Sequence, residues 1–172
     1  MVANETLTVE TIPSPEPAWI FSHTTSGPHL DWEWVEKRLI DTRNFWLATT
    51  NLDGTPHVRP LWGFWQDGGF WFATVNRSVA FMEANSNVVV HTESGEEVVI
   101  VEGLCERLHG KDQLQRISTG YKERYNHDTY ATEDGVFTLE GYGGPGFKIT
   151  PTKVLGWIAP QFETATRWRF DA

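Results

Sequence analysis

The chain has one cysteine, Cys105, among 172 residues, so no internal disulfide can form. Its setting in VVIVEGLC marks a buried, inert strand thiol, and a lone thiol fits a reducing compartment. No apolar run is long enough to cross a bilayer. Residues 1–20 lack the basic segment and apolar core of a secretion signal, so a cytoplasmic location is expected. Basic residues are scarce, with 14 Lys and Arg against 23 Asp and Glu and a net charge of −9. Binding to nucleic acid or to an anionic membrane needs clustered cations, so neither partner is expected. Six histidines are scattered along the chain. None shows the H-x-x-x-H spacing, and there is no thiolate cluster, so no metal centre is expected. His91 closes a valine run and reads as a hydrogen-bonded strand residue. No G-x-S-x-G elbow supports a hydrolase nucleophile.

Tryptophan, in contrast, is plentiful: nine in a chain that suits one domain. So many large rings imply an aromatic core with a dimer interface, or a site for a flat ligand. Residues 1–18 are polar and end in PSPEP, which forbids a helix and predicts an extended arm; residues 19–172 form the single domain. HLDWEWVEKRLIDTR, 29–43, predicts an amphipathic helix with Leu30, Trp34, Leu39 and Ile40 on one face and Asp31 as N-cap. Strands follow: NFWLATTN, a turn at Asp53-Gly54, TPHVRPLWGFW, a turn at QDGG, then FWFATV. SVAFMEANS is a short helix, and VVVHTE with EVVIVEGLCERL a hairpin about Ser94-Gly95. KDQLQRISTGYKERY spaces Leu114, Ile117, Tyr121 and Tyr125 as one helical face, which Gly120 weakens. GFKITPTKVLGWI and TATRWRF close the chain as strands. Antiparallel strands with short helices between them predict a mainly β fold, a closed or half-closed barrel.

GYGGPG, 141–146, matches the dinucleotide fingerprint in spelling only. Pro145 and the strand FKIT stand where the fingerprint needs a helix, so these glycines are read as a flexible loop. Arg59 is more telling. It stands in an aromatic hairpin before Pro60, on the same strand face as His57 and Leu61. A guanidinium cannot shed its proton, and burying it without an anion is costly. Either it lies in water at an edge or an anion meets it. Arg77 precedes the short helix. Arg167 and Arg169 share a face at period two, so they repel unless solvated or bridged by an anion. Arginine forks of this kind can capture phosphate or carboxylate.

The run FWLATTNLDGTPHVRPLWGFWQDGGFWFAT followed by NRSVAFMEANSNVVVHTESGEEVVIVEG resembles the pyridoxamine 5′-phosphate oxidase-like, FMN-binding split-barrel family. The likeness runs from residue 30 to the C-terminus and is strongest over 44–103. It implies a homodimer of split barrels with two flavins at the subunit interface. It assigns Arg59, Pro60, Leu61 and Trp62 to the first flavin-contacting strand and Ala73 and Thr74 to the second. The family's Ser-Arg-Lys phosphate element is matched by Asn76, Arg77 and Ser78, with Ser78 in the lysine position. Arg167 and Arg169 would approach from the partner subunit. The coenzyme implied is FMN, with a deazaflavin or, less in keeping, haem as alternatives. The expected activity is hydride transfer between flavin and a small unsaturated or quinone-like substrate; the alternatives are a deazaflavin-dependent reductase and a non-catalytic flavin or haem carrier. The vitamin B6 oxidase's own substrate motif has no counterpart, so that activity is not expected. No side chain is assigned as catalytic acid or base.

Overall fold

Period-two alternation of apolar and polar residues builds the strands. The computed structural model describes residues 12–19 and 27–170. Residues 1–11 of the expected arm and 20–26 of the expected domain lie outside the described residues, as do 171–172. The fold is mainly β, 43% strand and 23% helix, with antiparallel sheets.

Strand β2 (Phe45–Thr50) buries Phe45, Leu47 and Thr49 and turns Trp46 outward. It pairs with β3 (Pro56–Leu61) across a loop in which Gly54 takes φ +86°. There the Asp53 carboxylate accepts bonds from the Thr55 N–H at 3.0 Å and hydroxyl at 2.7 Å. Strands β4 (Phe64–Gln66) and β5 (Gly69–Ala73) meet at Asp67 and Gly68, whose φ values of 48° and 65° are those of a tight hairpin turn. The hairpin of β6 (Asn87–Thr92) and β7 (Glu97–Arg107) follows. The long strand β11 (Gly146–Ile158) pairs with β7 along one edge. Its other edge meets β5 through Gly146–Ile149, then β12 (Thr166–Arg169) through Lys153–Gly156. The register shifts between Pro151 and Lys153, beside a proline that has no N–H to donate.

The path β3-β2-β6-β7-β11-β5-β4 begins and ends with strands that are consecutive in sequence. Only Trp62 and Gly63 separate β3 from β4, yet no ladder joins them among the described residues. The sheet therefore wraps into a barrel split along this seam. Helix α3 (Lys111–Tyr125) lies over it, burying Leu114, Ile117, Tyr121 and Tyr125 as its spacing predicts. The Tyr125 hydroxyl accepts from the Gly63 N–H at 3.0 Å and lies 2.6 Å from the Gly63 carbonyl and 2.8 Å from that of Arg43. The Tyr121 hydroxyl accepts from the Ala73 N–H at 2.8 Å, with the Trp62 and Ala73 carbonyls each 3.3 Å away. Backbone groups that a closed ladder would pair are thus satisfied by two tyrosines. Gly120 lets the helix come this close, because a Cβ there would stand 2.4 Å from the Phe64 ring.

Helix α1 (Trp32–Asp41) buries Trp32, Val35 and Leu39. This corrects the expected face: Ile40 is 48% exposed, and Trp34 lies half-buried under the Arg38 guanidinium, 4.1 Å from its ring centre. Asp31 holds the N-cap position with extended backbone, but its side chain makes no capping bond. Inside the barrel Phe45, Phe70, Phe72 and Phe147 stack with Val90, Val101 and Ile149. Each such side chain stabilises the fold by roughly 1.5–3 kcal/mol on burial. Trp32 bridges Trp65 and Trp168, with ring centres 6.3 and 5.7 Å away. Cys105 is buried beside the Met82 sulfur, and burial, aided by the charge of Glu106, pushes its thiol up to about 12. His91 bonds the Thr92 carbonyl at 2.7 Å.

Candidate functional site

A cavity of about 300 Å³ stands at the barrel's seam. Its floor is the end of β3, the end of β5 and Tyr121 of α3. Its far wall is a small sheet that follows α3, made of β8 (Thr129–Ala131), β9 (Val136–Thr138) and β10 (Gly143–Gly144). Strand β10 runs against the backbone of Thr74 and Val75. A Cβ on Gly144 would lie 2.6 Å from the Thr74 carbonyl, so only glycine allows the wall to close here. The glycine run read as a flexible loop is therefore partly strand, and it shapes the site. A strand follows it, as the sequence predicts, and no helix N-terminus is presented to a pyrophosphate.

Arg59 reaches this cavity by the alternation of β3, which points it to the same side as Leu61. Its Nη1 donates to the Thr74 hydroxyl at 3.2 Å and its Nε to the Pro60 carbonyl at 3.4 Å. The Asn76 amide donates to the same Thr74 oxygen at 2.7 Å. No carboxylate among the described residues pairs with Arg59. Burial lowers its pKa from the ordinary value, and neighbouring Tyr121 acts in the opposite sense. A half-buried cation with only neutral partners leaves favourable electrostatics for an incoming anion.

Of the residues singled out from the sequence, Arg59, Leu61, Trp62, Ala73 and Thr74 line the cavity together. Pro60 lies on the outer face of β3, exposed and opposite Trp46. Arg77 is exposed at the start of α2 (Ser78–Ala84), 5.8 Å from the Phe81 ring centre, and that ring meets His57 at 5.4 Å. Ser78 is fully buried and turned into the helix start, its N–H and hydroxyl both given to the Asn76 side-chain amide oxygen. Arg167 and Arg169 do not reach the cavity. The anion bridging them is the chain's own Glu16, whose carboxylate lies 2.9 Å from Arg167 and 3.7 Å from Arg169. It comes from β1 (Glu16–Pro17), within the expected arm, which pairs with β12.

Sequence reasoning missed Asn76 as a side-chain clamp, His127, and the β9–β10 wall with Thr138 and Tyr142. The signal for the wall was present, since a cluster of glycines marks a close backbone approach as well as a loop. The lining holds one guanidinium and no carboxylate. Trp62 is stacked flat on Tyr125, ring centres 4.5 Å apart and 6° from parallel, which fixes it at the cavity rim. Among the described residues no three His, Cys, Asp or Glu side chains converge as a metal site, and no helix is long and apolar enough to cross a membrane.

Comparison with solved structures gives the same architecture. The protein is similar to the conserved hypothetical protein Rv2991 of Mycobacterium tuberculosis, at 21% identity and TM-score 0.63, covering 75% of this chain and 85% of that one. It is similar to an FAD-binding protein of Mesorhizobium loti, at 21% identity and TM-score 0.57, covering 81% and 95%. It is also similar to an F420 reductase, at 21% identity and TM-score 0.53, covering 69% and 94%. At these identities the likeness is one of fold. Comparison with curated proteins gives no match. The sequence profile of the family described as pyridoxamine 5′-phosphate oxidase matches residues 32–157, from the start of α1 through all but the last residue of β11; the chain belongs to that family.

Proposed function

We propose that the protein binds a flavin-type coenzyme, FMN or its deazaflavin counterpart, in the seam cavity and acts as an oxidoreductase on a small unsaturated or quinone-like substrate. The observation that carries this reading is Arg59, a guanidinium held by Thr74 and Pro60 at the cavity wall with no carboxylate among the described residues to meet it. The surroundings fit such a coenzyme. Arg59 supplies charge for a phosphate, and exposed Arg77 stands on the far side of Asn76, which touches both the Thr74 hydroxyl and the start of α2. Leu61, Trp62, Ala73 and Val136 offer apolar flanks for a flat ring. Ser78 lends no positive charge, so the phosphate site is weaker than one with lysine there; this favours testing the deazaflavin beside FMN. Fold neighbours named as an FAD-binding protein and an F420 reductase support testing a flavin and a deazaflavin side by side.

The bound coenzyme would supply hydride chemistry. The chain's own residues bind and orient it. Thr74 and Asn76 hold Arg59 in place, the Tyr121 and Tyr125 hydroxyls fix the two sides of the seam, and Trp62 keeps water from the rim. The test is the absorption spectrum of freshly purified protein, mass spectrometry of what denaturation releases, and titration with FMN, FAD and deazaflavin. A colourless protein whose melting temperature no coenzyme moves overturns the proposal. A coenzyme that stays bound but is inert toward reduced nicotinamide, reduced deazaflavin and a quinone panel makes the protein a carrier.

The working unit in this proposal is a homodimer. The outer face of β3, β2, β6 and β7 carries one row of Pro60, Trp46, His91 and Ile100, and beside it Val58, Ala48, Val89 and Glu102. Val58 is 56% and Trp46 37% exposed. This apolar face adjoins the cavity through β3, so a second copy seated on it would cover the open side. Trp46→Glu is expected to give monomers in light-scattering chromatography and weaker coenzyme binding; a native protein that is monomeric at micromolar concentration removes the dimer.

A further inference from the structure

The cavity lining holds a second polar side chain, His127, that the coenzyme reading leaves unused. His127 follows Asn126, the residue that ends α3 in the left-handed conformation at φ 52°, and its own N–H bonds the Tyr121 carbonyl at 3.2 Å. Both constraints come from the backbone, so the imidazole is placed by the helix end rather than by a side-chain partner. Its ring stands edge-on to Trp62, centres 5.6 Å apart at 77°, and it lines the cavity. Neither ring nitrogen bonds another described residue. Thr129 and Thr138, also in the lining, are committed: the Thr129 hydroxyl donates to Ser118 at 2.9 Å, and the Thr138 hydroxyl accepts from the Tyr142 N–H at 3.3 Å. His127 thus offers a side-chain donor that no described residue engages, as do the Trp62 indole N–H and the Tyr142 hydroxyl beside it. Either tautomer of the neutral ring, and the charged ring, carries at least one N–H.

We propose that His127 and Trp62 form the substrate end of the cavity, and that it takes an uncharged planar compound bearing a carbonyl oxygen, of the quinone or enone class. The ring of such a compound lies among Trp62, Val75 and Tyr142, and its oxygen accepts the His127 N–H. Charge argues for this class over an acid. The one guanidinium in the described lining is Arg59, which the coenzyme reading commits to phosphate, and the charge shown to act on His127 is a carboxylate outside the lining. Glu140 is near enough that His127 contributes to holding its carboxyl below the usual range, behind its own backbone N–H and Thr138. Asp128, the next residue in the chain, pairs with Lys122 at 2.9 Å. An anionic substrate would meet the Glu140 charge. A cationic one would find no carboxylate in the lining.

This inference rests on the coenzyme reading, and the experiment separates the two. Menadione is the probe, measured by equilibrium dialysis against full-length FMN-loaded protein, with FMN affinity measured separately by titration. His127→Ala is expected to weaken menadione binding about tenfold, the loss of one hydrogen bond. His127→Gln, which keeps an N–H donor, is expected to restore most of it, and both variants bind FMN within about twofold of the native protein. Unchanged menadione affinity in His127→Ala, or an equal loss of FMN affinity, overturns the assignment while leaving the coenzyme reading standing. Should the native protein take up no FMN, that reading fails, and the same dialysis on the coenzyme-free protein still decides the role of His127. Native protein that binds no menadione in either form also overturns it.

Discussion

Two sets of arginines, one on β3 and one on β12, look alike in sequence and end in opposite situations. Arg167 and Arg169 flank a tryptophan in a strand, and Arg59 stands among tryptophans in another. Yet the β12 pair is satisfied within the chain: Glu16 lies against both guanidinium groups, brought there by β1. Arg59 has a hydroxyl and a carbonyl for company and, among the described residues, no carboxylate. The difference teaches that a cation in a strand signals a ligand only after the chain's own anions have been assigned. In an acidic protein most cations find one: Arg38 pairs with Glu97, Arg107 with Glu83, and Arg116 with Asp67. Arg59 does not, and it is the one that lines the cavity.

The sharpest way to break the comparison is Arg59→Ala. Removing a charge-assisted bond to a desolvated phosphate is expected to weaken coenzyme binding by about 2 kcal/mol, roughly thirtyfold, while the melting temperature barely moves. Unchanged titration curves for FMN and deazaflavin would take Arg59 out of the site and put it on a par with the β12 pair.

Tyr121 gives the next largest effect, on stability. Tyr121→Phe strips the Ala73 N–H of its acceptor at the seam, at a cost of about 1–2 kcal/mol. Burial also raises the Tyr121 hydroxyl above its ordinary value and the Cys105 thiol from 9.0 to about 12. In the unfolded chain both deprotonate sooner than in the folded one. Their contribution is therefore complete below the unfolded values and is lost as pH rises, for Cys105 between 9.0 and about 12. Thermal melts should fall steadily above that lower bound, and less steeply in Tyr121→Phe; a flat profile would mean that neither group stays protonated in the fold. Arg77→Ala follows, with an expected loss of about 1 kcal/mol toward phosphate-bearing coenzymes and none toward riboflavin, because the side chain is exposed and screened. Equal losses for FMN and riboflavin would show that Arg77 acts through α2 and not on phosphate.

Much of this architecture is written locally. The Asp53-Gly54 and Asp67-Gly68 turns, the alternation in β2 and β3, and the Leu114–Tyr125 face of α3 all follow from short-range pattern and appear where that pattern puts them. What fails is whatever depends on a distant partner. In α1 two apolar stripes overlap, and contact with Trp65 and Trp168 selects Trp32, Val35 and Leu39 over the stripe that includes Ile40. At the site, Arg59 and Thr74 were legible one strand at a time, but their meeting across the seam needs barrel closure. The β10 wall was hidden because a glycine run has no side-chain periodicity to read. Ser78, matched to the phosphate element through the resemblance, gives both its polar groups to the Asn76 side-chain oxygen, one residue ahead of the N-cap position Arg77.

The smallest expected effect tests the other half of the comparison. Glu16→Gln leaves Arg167 and Arg169 side by side without their anion. Glu16 is 45% exposed and Arg169 59%, so water screens much of the loss, and the cost to stability is about 0.5 kcal/mol. It should shrink further as salt rises. Coenzyme affinity should be untouched, because neither arginine reaches the cavity. The alternative makes a different forecast. If in a dimer the β12 arginines served the partner's coenzyme, freeing them from Glu16 would raise affinity, and Arg167→Ala would lower it about as much as Arg59→Ala. Titrating both variants beside Arg59→Ala therefore decides whether Glu16 is the anion these arginines are kept for or only a stand-in for the one they bind.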